Sequence, residues 1–292
     1  MKNSNEMCQP LFLPFDCYEL SVREGTAASG PLTHYYAEFL LIRKGAAGLS
    51  LDGKEIILRA GEAAIICPGV PHCPFALEAE EARVMLLRLD PDRMPPFPDY
   101  SPSLSAILAE ARKQKLPMVL SAEDMEKLEL RGIVAGCAGE ANERPFGYDL
   151  DVTLRLGEAC LRVVRFWMEK GLVLPRPEEE QLSIYSLTGY IQCHLRNGLR
   201  VEDLAEKCGI SYPWFAKKFR DVYGVSCKEY IERIRVSRVE QFLRFSSLDL
   251  AQISEATGYA DCSHMIKNFK RIMNITPGQF RQQEQRQESP RN

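Results

Sequence analysis

Residues 10 to about 92 alternate apolar and polar positions, or run apolar in short stretches, between Gly, Pro and Asp-Gly breaks. "HYYAEFLLIRKG" (34–45), "GLSLDGKEIIL" (48–58), "GEAAIICPGVPH" (61–72) and "EEARVMLLRLDP" (80–91) read as strands of an all-β barrel or sandwich. Asp52-Gly53 predicts a tight hairpin. The Pro-rich segment "DPDRMPPFPDYSP" ends this pattern, and a helical period replaces it. Leu104, Ile107, Leu108 and Ala111 form one apolar face. Over 149–170, Leu150, Leu154, Gly157, Leu161, Val164 and Met168 make one stripe, and Val152, Leu156, Ala159, Val163 and Phe166 make a second. A helix apolar on two sides needs cover on two sides. Leu150, Leu154, Leu161 and Val164 are therefore assigned to contact with a second copy of the chain, the alternative being burial of both stripes within one domain.

These patterns predict an α+β multidomain chain. A β-barrel occupies 1–98, a helical segment with the dimer contact 99–170, and a linker, "GLVLPRPEEEQ", 171–181. An all-α unit fills 182–283, and 284–292 form a polar tail.

The all-α unit writes one pattern twice. Phe215, Lys217, Phe219, Gly224, Ser226 and Tyr230 answer to Met265, Lys267, Phe269, Asn274, Thr276 and Phe280, always 50 positions later. Upstream, Val201, Leu204, Ala205 and Gly209 answer to Leu250, Ile253, Ser254 and Gly258, 49 positions later. Each copy has an apolar helix face, a small residue where helices can cross closely, and a glycine suited to a left-handed helix stop. A second helix follows, capped by Ser211 or Asp261 and burying Phe215/Phe219 or Met265/Phe269. This is a helix-turn-helix made twice. Ser226 to Glu229 and Thr276 to Gln279 are spaced as capping boxes that open a further helix. The outward positions of the second helices are Tyr212, Pro213, Ala216, Lys217 and Arg220, then Cys262, Ser263, Ile266, Lys267 and Lys270. A helix held this way can enter a DNA major groove.

Charge strengthens this assignment. The chain carries a formal net charge of −3, but residues 181–292 hold 17 Lys+Arg against 12 Asp+Glu. A basic end behind an acidic front suits a polyanion-binding module joined to something else. No apolar run has the length of a membrane span, and the N-terminus lacks an export pattern, so a cytoplasmic protein is expected. Ten scattered cysteines without a CxxC pair read as free thiols.

The run from "LRVEDLAEKCGISYPWFAKKFR" to "GYADCSHMIKNFKR…TPGQFR" resembles the DNA-binding region of AraC/XylS-type bacterial transcription regulators over about 100 residues. The resemblance implies two helix-turn-helix units joined by a long helix near Cys227–Phe245, with Arg235 at a structural arginine position. Ser254 and Val239 replace the usual Ala, Met265 the usual Phe, and Asn274 the usual Gly. The base-reading positions of the family hold Pro213, Ala216, Cys262 and Ile266. Such residues favour contact with thymine methyls and readout of DNA shape over bidentate hydrogen bonds.

The front strands resemble the cupin-like sensor domain of the same family. His34, Glu38 and Gly45 match the later part of one cupin motif, and Gly61 with Pro68-Gly69-Val70-Pro71-His72 matches the other. Leu32 stands where metal-binding cupins place a further His, and Ala76 where Asn is usual. The expectation is a pocket for a small-molecule effector lined by His34, Tyr36, Glu38 and His72, with no metal or other cofactor. The alternatives are a metal-dependent cupin enzyme using His34, Glu38 and His72, and redox sensing by Cys67, Cys73 or Cys262. The expected partners are double-stranded promoter or operator DNA, an effector, RNA polymerase and a second copy of the chain. No enzymatic or membrane role is expected.

Overall fold

The computed structural model describes residues 11–23, 31–77, 81–95, 101–174, 184, 187–195 and 199–288. Most of the expected linker and the end of the tail lie outside them. The chain divides between Glu180 and Gln181 into two compact units.

The first unit holds two antiparallel sheets. Strands β1 (Phe15–Val22), β2 (Ala37–Lys44), β3 (Ala46–Leu51), β4 (Lys54–Arg59), β5 (Ala63–Ile66), β6 (His72–Ala76), β7 (Ala82–Leu89) and the short β8 (Val119–Leu120) assemble in the orders β1-β7-β2-β5-β8 and β4-β3-β6. The β3–β4 hairpin turns at Asp52 and Gly53, both at positive φ (52° and 77°), which lets the turn follow the strand twist. β1 and β8 were not individually legible in the sequence. Each is fixed by pairing with a distant strand, β1 along β7 from Phe15↔Leu89 to Val22↔Ala82.

Alternation sorts β2 and β7 into two faces. Glu38, Leu40 and Ile42 share one face with Val84, Leu86 and Arg88, while Phe39 and Leu41 share the other with Met85, Leu87 and Leu89. Helices α1 (Leu104–Lys113), α2 (Ala122–Lys127), α3 (Leu130–Glu143) and α4 (Tyr148–Glu169) follow. They cover the second face, where an apolar cavity of about 50 Å³ remains among Phe39, Leu87, Leu130, Leu156, Val163 and Trp167. Trp167 is fully buried, and its indole N–H donates to the Pro117 carbonyl at 2.8 Å.

The two stripes of α4 have separate fates. Val152, Leu156, Val163 and Phe166 are buried within the unit, whereas Leu150 (62%), Leu154 (56%), Leu161 (37%) and Met168 (50%) are exposed. Val164 departs from the sequence assignment: at 4% exposure it lines the internal cavity and is unavailable to a second copy. It lies at the edge of the stripe, where rotation about the helix carries it to the buried side.

The second unit contains α5 (Leu187–His194), α6 (Val201–Lys207), α7 (Tyr212–Tyr223), α8 (Cys227–Phe245), α9 (Leu250–Ala256), α10 (Cys262–Met273) and α11 (Pro277–Glu288). Pairs α6–α7 and α9–α10 are the two helix-turn-helix units, with Gly209 (φ 66°) and Gly258 (φ 78°) at the turns. Asp261 caps α10, its Oδ1 accepting the His264 N–H at 2.7 Å. Asn274 takes the left-handed stop (φ 62°) that Gly224 supplies in the first copy (φ 74°). Thr276 and Gln279 complete a capping box, at 2.9 and 3.3 Å. Ser226 makes only half of one, accepting the Glu229 N–H at 3.2 Å. The Glu229 carboxylate instead meets Arg233 (2.7 Å) and Arg271 (3.0 Å). Two opposing cations hold a carboxylate more strongly than one backbone N–H. A third box, Asp249 with Gln252, opens α9 and was not anticipated.

A side chain at Gly209 would meet no atom within 4 Å, so only its backbone conformation demands glycine. Gly209→Ala should therefore cost about 1 kcal/mol through left-handed strain alone. Asn274→Gly, at an equivalent helix stop, should not destabilise the unit. Urea unfolding of the two variants tests the contrast.

Candidate functional site

The barrel interior brings all four expected effector residues together. His34 precedes β2, Glu38 is its second residue and His72 opens β6. Their exposures are 6%, 3% and 1%. His34 Nδ1 bonds the Tyr36 carbonyl and His72 Nδ1 bonds the Val70 carbonyl, both at 2.9 Å. A carbonyl only accepts, so each ring carries its proton on Nδ1 in these bonds. Each Nε2 then faces inward. His34 Nε2 lies 3.2 Å from Glu38 Oε1, His72 Nε2 lies 3.2 Å from Glu38 Oε2, and the two Nε2 atoms are 3.3 Å apart. All the ligating atoms of this trio fall within 4.8 Å of one another.

Burial alone would raise the Glu38 carboxyl, but the charges and hydrogen bonds of His34 and His72 outweigh it and hold Glu38 well below the usual carboxylate range. Burial would likewise lower His72, but the hydrogen bond and charge of Glu38, with the Val70 carbonyl, raise it above the ordinary imidazole value.

Tyr36 stacks on His34 with centroids 3.7 Å apart, and its hydroxyl accepts from Arg88 Nη1 at 3.1 Å. Arg88 is buried at 2%, donates to Asp16, and lies over the Tyr18 and Tyr36 rings at 4.9 and 5.2 Å. Sequence reading missed this Asp16–Arg88–Tyr18 cluster. Its signal was the single cation inside the apolar run "VMLLRL". In an apolar strand such a residue needs a partner that only the pairing with β1 reveals.

In the second unit Phe215, Phe219, Met265 and Phe269 are fully buried, as the repeat predicts. On the opposite side of α7, Tyr212, Pro213, Lys217 and Arg220 are exposed and Ala216 is half-buried. On α10, Ser263, Lys267 and Lys270 are exposed, but Cys262 and Ile266 are half-buried against the core of Val239, Ile253 and Phe269. Arg235 has the structural role expected. It pairs with Glu232 at 3.1 Å, donates to the Leu195 carbonyl and lies 5.5 Å from the Tyr259 ring. Glu232 also accepts from Asn268 at 2.8 Å, tying α8 to α10.

All nine described cysteines are free. Burial pushes the Cys67 thiol up to about 12, away from the thiolate that redox chemistry needs. Among the described residues, no helix is long and apolar enough to cross a membrane.

Comparison with known proteins agrees with both halves of this architecture. Residues 204–283 match the helix-turn-helix domain family and residues 18–88 the cupin domain family. The regulatory protein PocR of Salmonella typhimurium is 28% identical over 109 residues, covering 37% of this chain and only 35% of PocR. The HTH-type transcriptional regulator YdeC of Bacillus subtilis is 20% identical over 271 residues, covering 91% of this chain and 90% of YdeC. The crystal structure of ToxT from Vibrio cholerae O395 covers 92% of this chain and 97% of its own, at 14% identity and a TM-score of 0.36. A cupin-like barrel joined to a doubled helix-turn-helix is the arrangement these matches outline, and each half of the chain is similar to the corresponding domain family.

Arg88→Met would leave Asp16 without its buried cation. It should destabilise the first unit by about 2–3 kcal/mol, less than for a fully sealed pair because Asp16 is 28% exposed. Denaturant unfolding followed in the aromatic region reads the loss.

Proposed function

We propose that this protein is a cytoplasmic, effector-responsive transcription regulator that binds double-stranded DNA through both helix-turn-helix units. The single observation that supports this most is the equivalence of Lys217 and Lys267. Both are exposed, each two residues from the buried aromatic of its helix, in copies whose cores repeat at the same spacing. The helix joining the copies, α8, has 19 residues. At 1.5 Å per residue it is about 28 Å long, comparable to one turn of DNA.

Within this reading the front barrel is a sensor and not an enzyme. A small molecule changes regulation by favouring one arrangement of the DNA-binding units over another. The exposed Leu150, Leu154 and Leu161 of α4 form the contact with a second copy, and RNA polymerase is the partner at the promoter. Sequencing the DNA fragments retained by the pure full-length protein tests the central claim, and failure to retain any DNA at low salt would overturn it.

Lys217→Ala and Lys267→Ala should each weaken operator binding by about 1–3 kcal/mol and relax preference at one base position. A loss that is uniform across sequences and lowers the salt slope would make the lysine a phosphate contact instead. Fluorescence anisotropy on operator variants over a salt series separates the two.

Glutamate at both Leu154 and Leu161 should leave the circular dichroism spectrum unchanged, since both side chains are exposed. It should convert the sedimenting species to monomer and abolish the tighter binding to paired sites that a dimer gains by tethering. A folded, dimeric double variant would remove α4 as the contact.

A further inference from the structure

We propose that Cys17, Met85 and Cys137 form a three-sulfur site for one copper(I) ion, held between the edge strand β1 and helix α3. The site lies on the helical face of the larger sheet, on the opposite side from the barrel interior and its histidines, and joins residues from three separate stretches of the chain.

The strand register brings two of the sulfurs together. Cys17 is paired with Leu87, so its side chain shares the helical face with Leu87 and, two residues along β7, with Met85. The Cys17 thiol donates to the Met85 thioether at 3.7 Å. Helix α3 packs across β1 with Leu130, Ile133, Val134 and Cys137 turned inward, and Cys137 is fully buried. Its thiol stands close enough to Cys17 that charge on Cys137 opposes ionisation of Cys17.

The thioether lone pair already faces the proton on the Cys17 sulfur. Two sulfurs 3.7 Å apart, each about 2.3 Å from a common ion, enclose an angle of about 107° at that ion, close to the tetrahedral value. Replacing the proton by a soft cation therefore leaves both sulfurs where they stand, and Cys137 closes the third side.

Thiolate and thioether donors without nitrogen or oxygen select copper(I) over harder divalent ions. The Asp151 carboxylate near Cys137 is engaged by the Arg155 guanidinium at 2.5 Å, and Arg155 in turn favours the Cys137 thiolate. Burial pushes the thiols of Cys17 and Cys137 up to about 12, so they keep their protons until an ion displaces them. Binding then releases two protons to solvent and leaves a bis-thiolate copper(I) centre with a single negative charge, which Arg155 offsets. Cys17 is half-buried on an edge strand, which gives the ion a way in. The Cys67–Met118 contact, at 3.9 Å, differs in that the Cys67 thiol is also directed to the Leu108 carbonyl at 3.6 Å.

The full-length protein, reduced and free of oxygen, should be titrated with copper(I) in competition with bathocuproine disulfonate. One ion per chain should withstand the chelator and raise the melting temperature. Cys17→Ser and Cys137→Ser should each lose that ion, and Met85→Leu, close in volume, should fold and hold it more weakly. Cys193→Ser, which removes an exposed thiol, should leave binding unchanged. Should a serine variant unfold, copper K-edge absorption of the wild-type complex decides. Sulfur neighbours at about 2.3 Å are expected, and nitrogen neighbours would place the ion on imidazole and overturn the site. No ion withstanding the chelator, or a folded serine variant that keeps it, would overturn the site equally. Unchanged affinity in Met85→Leu would remove the thioether as a ligand. DNA retention by the same preparation is a separate result, so failure of the copper site and failure of the regulator reading are distinguishable.

Discussion

Two imidazole Nε2 atoms and a carboxylate are pressed together inside the barrel, each within 3.3 Å of the others, and the strand register of the first unit keeps them there. Glu38 reaches the interior because β2 alternates, and Phe39 reaches the helical layer for the same reason. A slip of one residue would put the carboxylate among Leu156 and Trp167 and a phenyl ring between the histidines. The register with β7 prevents this, since it also fixes Arg88 on the interior face, where Asp16 and two tyrosines receive it. The polar interior and the apolar outer layer therefore depend on the same ladder of backbone hydrogen bonds.

The second unit uses its sequence differently. Its helices are short, and α6 and α9 have only seven residues each. Helices of that length are not stable alone, so their ends and their packing carry the fold. Caps at Asp249, Asp261 and Thr276 start α9, α10 and α11, and left-handed stops at Gly209, Gly258 and Asn274 end α6, α9 and α10. The buried Glu232, shared between Arg235 and Asn268, then connects the long helix α8 to α10. Removing either partner would leave a buried carboxylate short of a donor, which is why these polar groups act as fasteners and not as surface decoration.

Helix α4 lies between two demands. One face closes the sheet with Leu156, Val163 and Trp167, and the other exposes Leu150, Leu154 and Leu161. An apolar stripe presented by a helix whose opposite face is already satisfied is unusual for an isolated chain. Val164 marks the border between the two, buried although it shares the stripe's heptad spacing.

The sequence by itself determined what depends on neighbours in the chain. Helix periods, the caps at Asp261 and Thr276, glycine stops, the Asp52-Gly53 turn and the doubled core of Phe215/Phe219 and Met265/Phe269 are set within a few residues and were legible; the Asp249–Gln252 box is as local but was not read. The grouping of His34, Glu38 and His72 was legible only through resemblance, and their separations were not, because His72 arrives from the other sheet. Tertiary structure alone decided that β1 pairs with β7, that Arg88 meets Asp16, that Glu229 leaves its cap for Arg271, and which stripe of α4 is buried. Each of these depends on a partner distant in the chain, or on which face a neighbouring layer covers. A local pattern can state that a side chain needs a partner, but only the packed chain supplies the one it gets.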